Sequence, residues 1–489
     1  MIFSGTVSIK SKYIFYVANI TILYYDIVRK LEYHEIVIKG GFMKKDIVII
    51  GGGPAGMISA LTAKNNYSEK SVMIIRKEKK VLTPCGIPYI FHTLDSVEKD
   101  AVSDNPFIDK GIEFLIDNAV EVDFKNKKIQ TEKNNFVEYE KLIFATGSEP
   151  YLPKWLKGVE LDNVFVIKKN YDYLEKVKRE IENLKNIMVV GAGFIGIEVA
   201  EELKKSGKNV YIVEKMKSVL ANAFDSDFVS NVDDYLKKLG VNVITGTGIK
   251  EIQGDNKVNS VLLEDNKSIE IDAVILAMGY RPEISLAEKS GLFIGKNNNI
   301  WVDEYMRTSE RDVFAVGDCA ERRHFITRKP SNTMLASTAT SEARVAGSNL
   351  YSLSTIKSFN GTISIFSTKV GDIVIGSAGL TENEAFEENL KVVSGVFEGF
   401  DRHPKAIPDA GMQKVKLIAA KNTGVIVGGQ IAGKNSSAEL INVIGYIIQN
   451  RMRADEVFVS QMGTHPLTTA APTQYPIVKA AEMIIAKLK

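Results

Sequence analysis

Two glycine-rich turns carry the first chemical signal in this sequence of 489 residues. The apolar run 47–50 leads into Gly51-Gly52-Gly53-Pro54-Ala55-Gly56, and a good helix former follows at 57–63. In this strand, G-x-G-x-x-G, helix frame, Gly51 permits the tight turn, Gly53 lets backbone approach a pyrophosphate, and Gly56 allows close helix–strand packing. Amides at the helix N-terminus then face the phosphate charge. The arrangement returns 140 residues later, where 186–190 leads into Gly191-Ala192-Gly193-Phe194-Ile195-Gly196 and a second helix former at 197–203. The next strand, 209–213, ends on Glu214, 18 residues after Gly196. A carboxylate there accepts from both ribose hydroxyls and repels a 2′-phosphate, which favours NADH over NADPH. In the first unit the second strand, 72–75, ends on Arg76-Lys77-Glu78, so the matching carboxylate is displaced to Glu78. One such turn is a weak signal, but two in the correct frame point to two dinucleotide sites.

The elements that hold these turns belong to an α/β chain with two Rossmann-like units. Its length predicts two to four domains at ~100–200 residues each. Hydrophobic content of 45% and charged content of 25% exclude disorder, collagen and a membrane bundle. Lys+Arg 62 against Asp+Glu 60 leaves +2, so no global field attracts nucleic acid or an anionic membrane. Two cysteines, Cys85 and Cys319, exclude a disulfide scaffold and a Cys-rich metal site; we expect no bound metal. A reduced, cytoplasmic setting follows. Residues 1–42 stand apart. Their apolar run 13–25 is followed by Asp26, Arg29 and Lys30, lacks a small-residue cleavage site, and falls short of the ~20 residues that cross a bilayer. They read as an extension or a start codon placed too early, with no stable membrane anchor; a weakly membrane-associating segment is the alternative.

Residues 308–318 read as a hairpin approach, a short buried strand and a terminal carboxylate, Asp318. With the two turns, this resembles the pyridine nucleotide–disulfide oxidoreductase family of flavoproteins, over residues 43–489. The resemblance implies an FAD-binding domain at 43–157 and 286–356, split by an inserted NAD(P)-binding domain at 158–285. It also implies a C-terminal α+β dimerisation domain at 360–489, hence a homodimer. Within it we expect strands at 362–366, 373–375 and 414–418, a helix entry at 379–385 and a helix over 439–450. Asp318, after Gly317, holds the ribityl chain of FAD in that family. Two linker strands, ending on Ala145-Thr146-Gly147 and on Ala277-Met278-Gly279, bracket the inserted unit. Ser337 and Thr338 open a Ser/Thr-capped helix whose N-terminus points at the flavin pyrimidine ring in relatives. Glu198 approaches the nicotinamide amide in relatives.

Cys85 lies in Thr83-Pro84-Cys85-Gly86-Ile87-Pro88-Tyr89-Ile90, 34 residues after Gly51. Most of the family carries C-x-x-x-x-C here. Ile90 occupies the second position, so the resemblance is to the single-cysteine branch of NADH oxidases, NADH peroxidases, coenzyme A-disulfide reductases and persulfide or polysulfide reductases. A thiol at a helix start, facing a flavin, has its thiolate favoured and cycles to a sulfenic acid or a mixed disulfide. Electrons would pass from NADH through FAD and Cys85 to O2 or peroxide, or to a disulfide, persulfide or polysulfide. The two tyrosine stretches of coenzyme A-disulfide reductases are replaced by 404–411 and 461–467, which argues against coenzyme A disulfide itself. His465-Pro466 resembles the His-Pro pair that works as acid and base across the dimer in two-cysteine members, although the orienting glutamate is replaced by Ala470. Tyr475 and Tyr89 are reserve proton donors. His324 matches a position near substrate in some relatives; Arg322 and Arg323 beside it either meet an anionic substrate or form a solvated loop. His403 is placed near the interface, His34 and His92 carry no argument, and Cys319 reads as packing in a buried strand. Two other readings stay open: an electron-transfer reductase for a small protein such as rubredoxin, with Cys85 a spectator, and a flavoprotein sensor.

Overall fold

The computed structural model describes residues 41–355 and 358–489. The expectation for the leader, His34 included, lies outside them up to residue 40.

The parallel part of the first, mixed sheet begins at Phe42–Ile50, one residue before the expected Met43, with Phe42 opposite Phe136 and Ile50 opposite Phe144. Val72–Arg76 flanks it on the other side and Ile112–Ile116 lies beyond. Residues 47–50 and 72–76 are buried throughout, as strands covered on both faces must be. Val313–Ala315 returns from far along the chain to pair in parallel with the end of Phe136–Phe144. Helix Ala336–Ser348 packs on helix Pro54–Asn66, closely enough that a Cβ on Gly347 would stand 2.8 Å from Thr62 Cβ.

The second sheet is wholly parallel, in the order Val164–Val166, Ala273–Leu276, Asn186–Val190, Asn209–Glu214, Asn242–Thr245. Residues 275–276 therefore belong to this sheet rather than to a separate linker. The connection is the ribbon that follows each crossing, Ser148–Pro150 paired with Tyr280–Pro282.

The last sheet is antiparallel, in the order Phe366–Val370, Ile373–Gly379, Ile426–Gly433, Met412–Ala420, Val392–Phe400. The expected strand at 362–366 begins only at Phe366, because Thr362 is spent on a bridge to His324. The helix entry forms as Glu382–Glu387, with a capping box between Thr381 and Glu384. Helices Leu440–Gln449 and Pro476–Leu488 bury Ile441, Ile444, Ile448, Ile477 and Ile484 in one core with the sheet. Among the described residues no helix is long and apolar enough to cross a membrane.

Candidate active site

The two glycine turns are built alike, atom for atom. Gly51 has φ +115, and a Cβ there would meet Ala145 O at 2.1 Å; Gly191 has φ +99 and would meet Ala277 O at 2.5 Å. Cβ atoms on Gly56 and Gly196 would strike the carbonyls of Gly51 and Gly191 at 2.0 and 1.9 Å. Around Gly53 and Gly193, by contrast, nothing lies within 4 Å, and both cap their helices with no side-chain bond among the described residues. Each turn thus leaves bare amides at a helix N-terminus facing open space, which is what a pyrophosphate needs. At the second turn Glu214 Oε2 accepts from Ala192 N at 2.7 Å and Oε1 from Met216 N at 2.8 Å, fixing the carboxylate at the mouth of the turn. At the first turn the strand-end position belongs to Arg76, which is buried, bonds Asp104 through Nη1 at 2.8 Å, and lies 4.5 Å over Phe114. Glu78 stands at the cavity wall two residues on.

A cavity of about 940 Å³ runs from the first turn to the last domain. Gly51, Gly53, Ala145, Thr146, Gly147 and Glu78 line one end. Cys85, Glu198, Gly317, Asp318 and Ser337 line the remainder, with Ile365, Phe366 and Asn442 closing the side toward the last domain. Gly56, Gly191, Gly193, Gly196, Glu214 and Gly279 are not among its walls. Thr338 is also excluded: it is buried with its hydroxyl 2.9 Å from Thr362 Oγ1. Helix Ala336–Ser348 enters from Leu335, which offers no side-chain cap, so the expected Ser/Thr cap is absent and the first amides open onto the cavity.

Asp318 sits in a network that the sequence did not disclose. Its Oδ2 accepts from Ser148 Oγ at 2.7 Å and from Lys169 Nζ at 3.1 Å, and Lys169 also donates to Ser148 Oγ at 2.8 Å. Burial pushes the Asp318 carboxyl up, but Lys169, Ser148 and Arg322 outweigh it and hold it below the usual range. Lys169 lies 4.9 Å over the Tyr280 ring, whose hydroxyl donates to Ile167 O at 2.6 Å. Lys169 and Ser148 come from chain far from Asp318, so no local motif could have joined them. Arg322 is buried, not part of a solvated loop; it pairs with Glu342 at 3.3 Å and Asp318 at 3.9 Å, whereas Arg323 is exposed. Cys319 is buried as expected but ends a 3-10 turn, Gly317–Cys319, rather than lying in a strand.

Cys85 opens onto the cavity, so solvent reaches the sulfur while the wall still desolvates it. Burial pushes its thiol up, the charge of Glu198 adds to this, and Lys169 opposes. The helix after it, Ile87–Phe91, is a five-residue 3-10 turn, too short to supply the expected dipole. Glu198 is no surface residue. It accepts from Thr368 Oγ1 at 2.6 Å, and its carboxyl is pushed up to about 7 by burial, with Glu201 and Glu202 adding to the shift.

His465 lies in the last domain, exposed and outside the cavity walls of the chain that carries it. Its Nδ1 accepts from Leu467 N at 3.3 Å. His403 braces this segment, its ring 3.2 Å from Thr469 O. His324 is tied down, its Nδ1 accepting from Ile326 N at 3.2 Å, and burial pushes its imidazole down. Tyr89 and Tyr475 stand away from the cavity walls, and burial raises both phenols.

Two Rossmann-type units joined by a ribbon, with a thiol and a half-buried carboxylate on a shared cavity, define a dinucleotide-dependent redox enzyme. Its family is shown by comparison: a profile for pyridine nucleotide-disulphide oxidoreductases matches residues 45–343, and one for their dimerisation domain matches 365–475. The chain belongs to this family and is an NAD(P)H oxidoreductase that uses FAD. It is 34% identical to an NADH oxidase of Methanocaldococcus jannaschii over 90% of this chain and 99% of that one. It is 32% identical to an NAD(P)H coenzyme A polysulfide/persulfide reductase of Pyrococcus horikoshii over 91% and 99%. A solved NAD-dependent persulfide reductase from A. fulgidus superposes with a TM-score of 0.83 at 30% identity, over 91% of this chain and 83% of that one.

Proposed function

We propose that the chain passes two electrons from NADH, by way of FAD, to Cys85 and from there to O2 or peroxide, or to a persulfide, polysulfide or small disulfide. The observation that carries this is the opening of Cys85 onto the same cavity as the first glycine turn and Asp318. FAD, when bound, supplies the two-electron link between a nicotinamide and a sulfur. The amides after Gly53 would hold its diphosphate, Asp318 would accept from its ribityl hydroxyls, and the bare start of Ala336–Ser348 would stabilise negative charge on the ring. Glu214 at the second turn takes the ribose of NADH and disfavours a 2′-phosphate. Glu198, on the cavity wall, would approach the nicotinamide amide in this reading.

The sulfur acts as a thiolate. Attack on a peroxide breaks the O–O bond, leaves a sulfenic acid on Cys85 and releases water once the leaving oxygen is protonated. Attack on a polysulfide breaks an S–S bond, forms a new S–S bond to Cys85 and expels the remaining sulfur fragment as an anion. The two electrons from NADH then return Cys85 to the thiolate. The leaving group needs a proton, and among the described residues of one chain no histidine lines the cavity. His465 of a second copy supplies it in this reading. The matched dimerisation domain and its exposed Phe386, Tyr446, Val459 and Leu467 support a homodimer. Two unpaired thiols fit a cytoplasmic setting.

Cys85→Ser tests the assignment. Reduction of peroxide or polysulfide should fall at least about 100-fold, a loss typical for removal of a nucleophile, while FAD stays bound and is still bleached by NADH. Undiminished reduction in this variant would return Cys85 to a spectator and favour a carrier reductase.

A further inference from the structure

The turn that carries Cys85 rests on a buried acid that the proposed chemistry leaves unused. Gly86 N donates to Thr83 O at 2.8 Å, which closes 83–86 as a tight turn with Cys85 third in it. Thr83 N in turn donates to Asp100 O at 3.1 Å, and the ribbon of Val81–Leu82 with Ala101–Val102 fixes Asp100 beneath that turn. Gly86 has φ −85, open to any residue, so backbone conformation does not require glycine there. Space does. A Cβ on Gly86 would stand 1.8 Å from Asp100 Oδ1 and 2.9 Å from its Cγ. Asp100 is 5% exposed, and its Oδ2 has no hydrogen-bond partner among the described residues. A buried, unpaired carboxyl is costly and calls for a reason. Burial alone pushes it up to about 6.

We propose that Asp100 is a positioning residue for Cys85: its carboxyl, seated under Gly86, supports the 83–86 turn from below and sets an acidic group beside the sulfur. The proposal rests on the reading of Cys85 as the redox thiol. Three charged groups face the sulfur: Glu198 from helix Phe194–Lys205, Lys169 from the segment before helix Tyr171–Glu182, and Asp100. Glu198 and Asp100 push the thiol up and Lys169 pulls it down. Tyr89, on the 3-10 turn after Cys85, is close enough to feel the thiolate charge. Beside Asp100 in the chain, Glu98 is engaged by Lys80 and by Tyr171 OH, and Lys99 is exposed.

Alkylation by iodoacetamide reads Cys85 alone, because Cys319 is fully buried. Its rate should be followed against pH on the full chain freed of flavin, with Cys85→Ser as the blank. In Asp100→Asn the midpoint should move down by about half a pH unit or more, the scale of one nearby charge partly screened by solvent. Asp100→Ser, smaller and also neutral, should move it the same way. A midpoint equal to that of the parent, in either variant folded by circular dichroism, overturns the proposal. Because this readout involves neither flavin nor turnover, its failure is distinct from a failure of the redox assignment, which would show as activity surviving in Cys85→Ser.

Discussion

At the scale of single residues, the cavity thiol starts from an unfavourable position. Among the charges of the described residues Lys169 favours its thiolate, and Lys169 is committed to Asp318 and Ser148. Glu198 carries the opposing charge, and its own cost is measurable. Its carboxyl is pushed up to about 7 in the folded chain against about 4.3 when unfolded. The folded state therefore binds the extra proton, so this stability is full at low pH and is lost as pH rises from about 4.3 through 7. Glu198→Gln removes the titration. The variant should match its parent in Tm near pH 4 and gain steadily toward pH 8, by no more than about 3 kcal/mol. Thermal melts at several pH values check this; parallel curves across the range would show that Glu198 is not strained by burial.

At the scale of elements, the glycines divide by what surrounds them. Gly53 and Gly193 face empty space with ordinary negative φ, −72 and −74, so an alanine there fits the folded chain. A methyl carbon on Gly56 or Gly196 would fall within 2.0 Å of a backbone carbonyl oxygen, so an alanine there must push strand and helix apart. Gly53→Ala should keep the melting temperature of the flavin-free chain within about 2 °C, since a surface-like change costs under ~0.5 kcal/mol, yet lose FAD on gel filtration. Gly193→Ala should keep FAD and raise KM for NADH. Gly56→Ala should lower stability outright. This division was legible in the sequence, because the motif encodes a local turn whose parts lie within six residues. The Asp318 network was not, because Lys169 and Ser148 reach it from 149 and 170 residues away. Thr338 and the bare cap at Leu335 depart from the sequence pattern for a related reason: a Ser/Thr run signals a cap, but the pairing of Thr338 with Thr362 belongs to the tertiary fold.

At the scale of the whole molecule, His465 is exposed on the last domain while Cys85 lies inside the cavity. Complementation separates action within a chain from action between chains. Cys85→Ser and His465→Ala chains, each inactive alone, should regain activity when unfolded together and reassembled, because one site of each hybrid dimer then holds an intact pair. Action within one chain predicts no recovery from any mixture. The fold class and two of the three largest sheets could be read from the glycine turns and apolar runs. The third was legible in its pattern but not in its register, since Phe366 begins a strand that the alternation places from Thr362.

Helix Phe194–Lys205 joins three parts of the molecule through three acids in succession. Glu198 accepts from Thr368 of the last sheet, Glu201 from Gly371 N at 2.9 Å, and Glu202 from Thr93 N at 2.6 Å, just past the turn that follows Cys85. These three bonds tie the unit built on the second glycine turn to the last sheet and to the segment after Cys85. A substitution at Glu202 would therefore be felt at both ends of the helix, in the loop beyond Cys85 and in the last sheet.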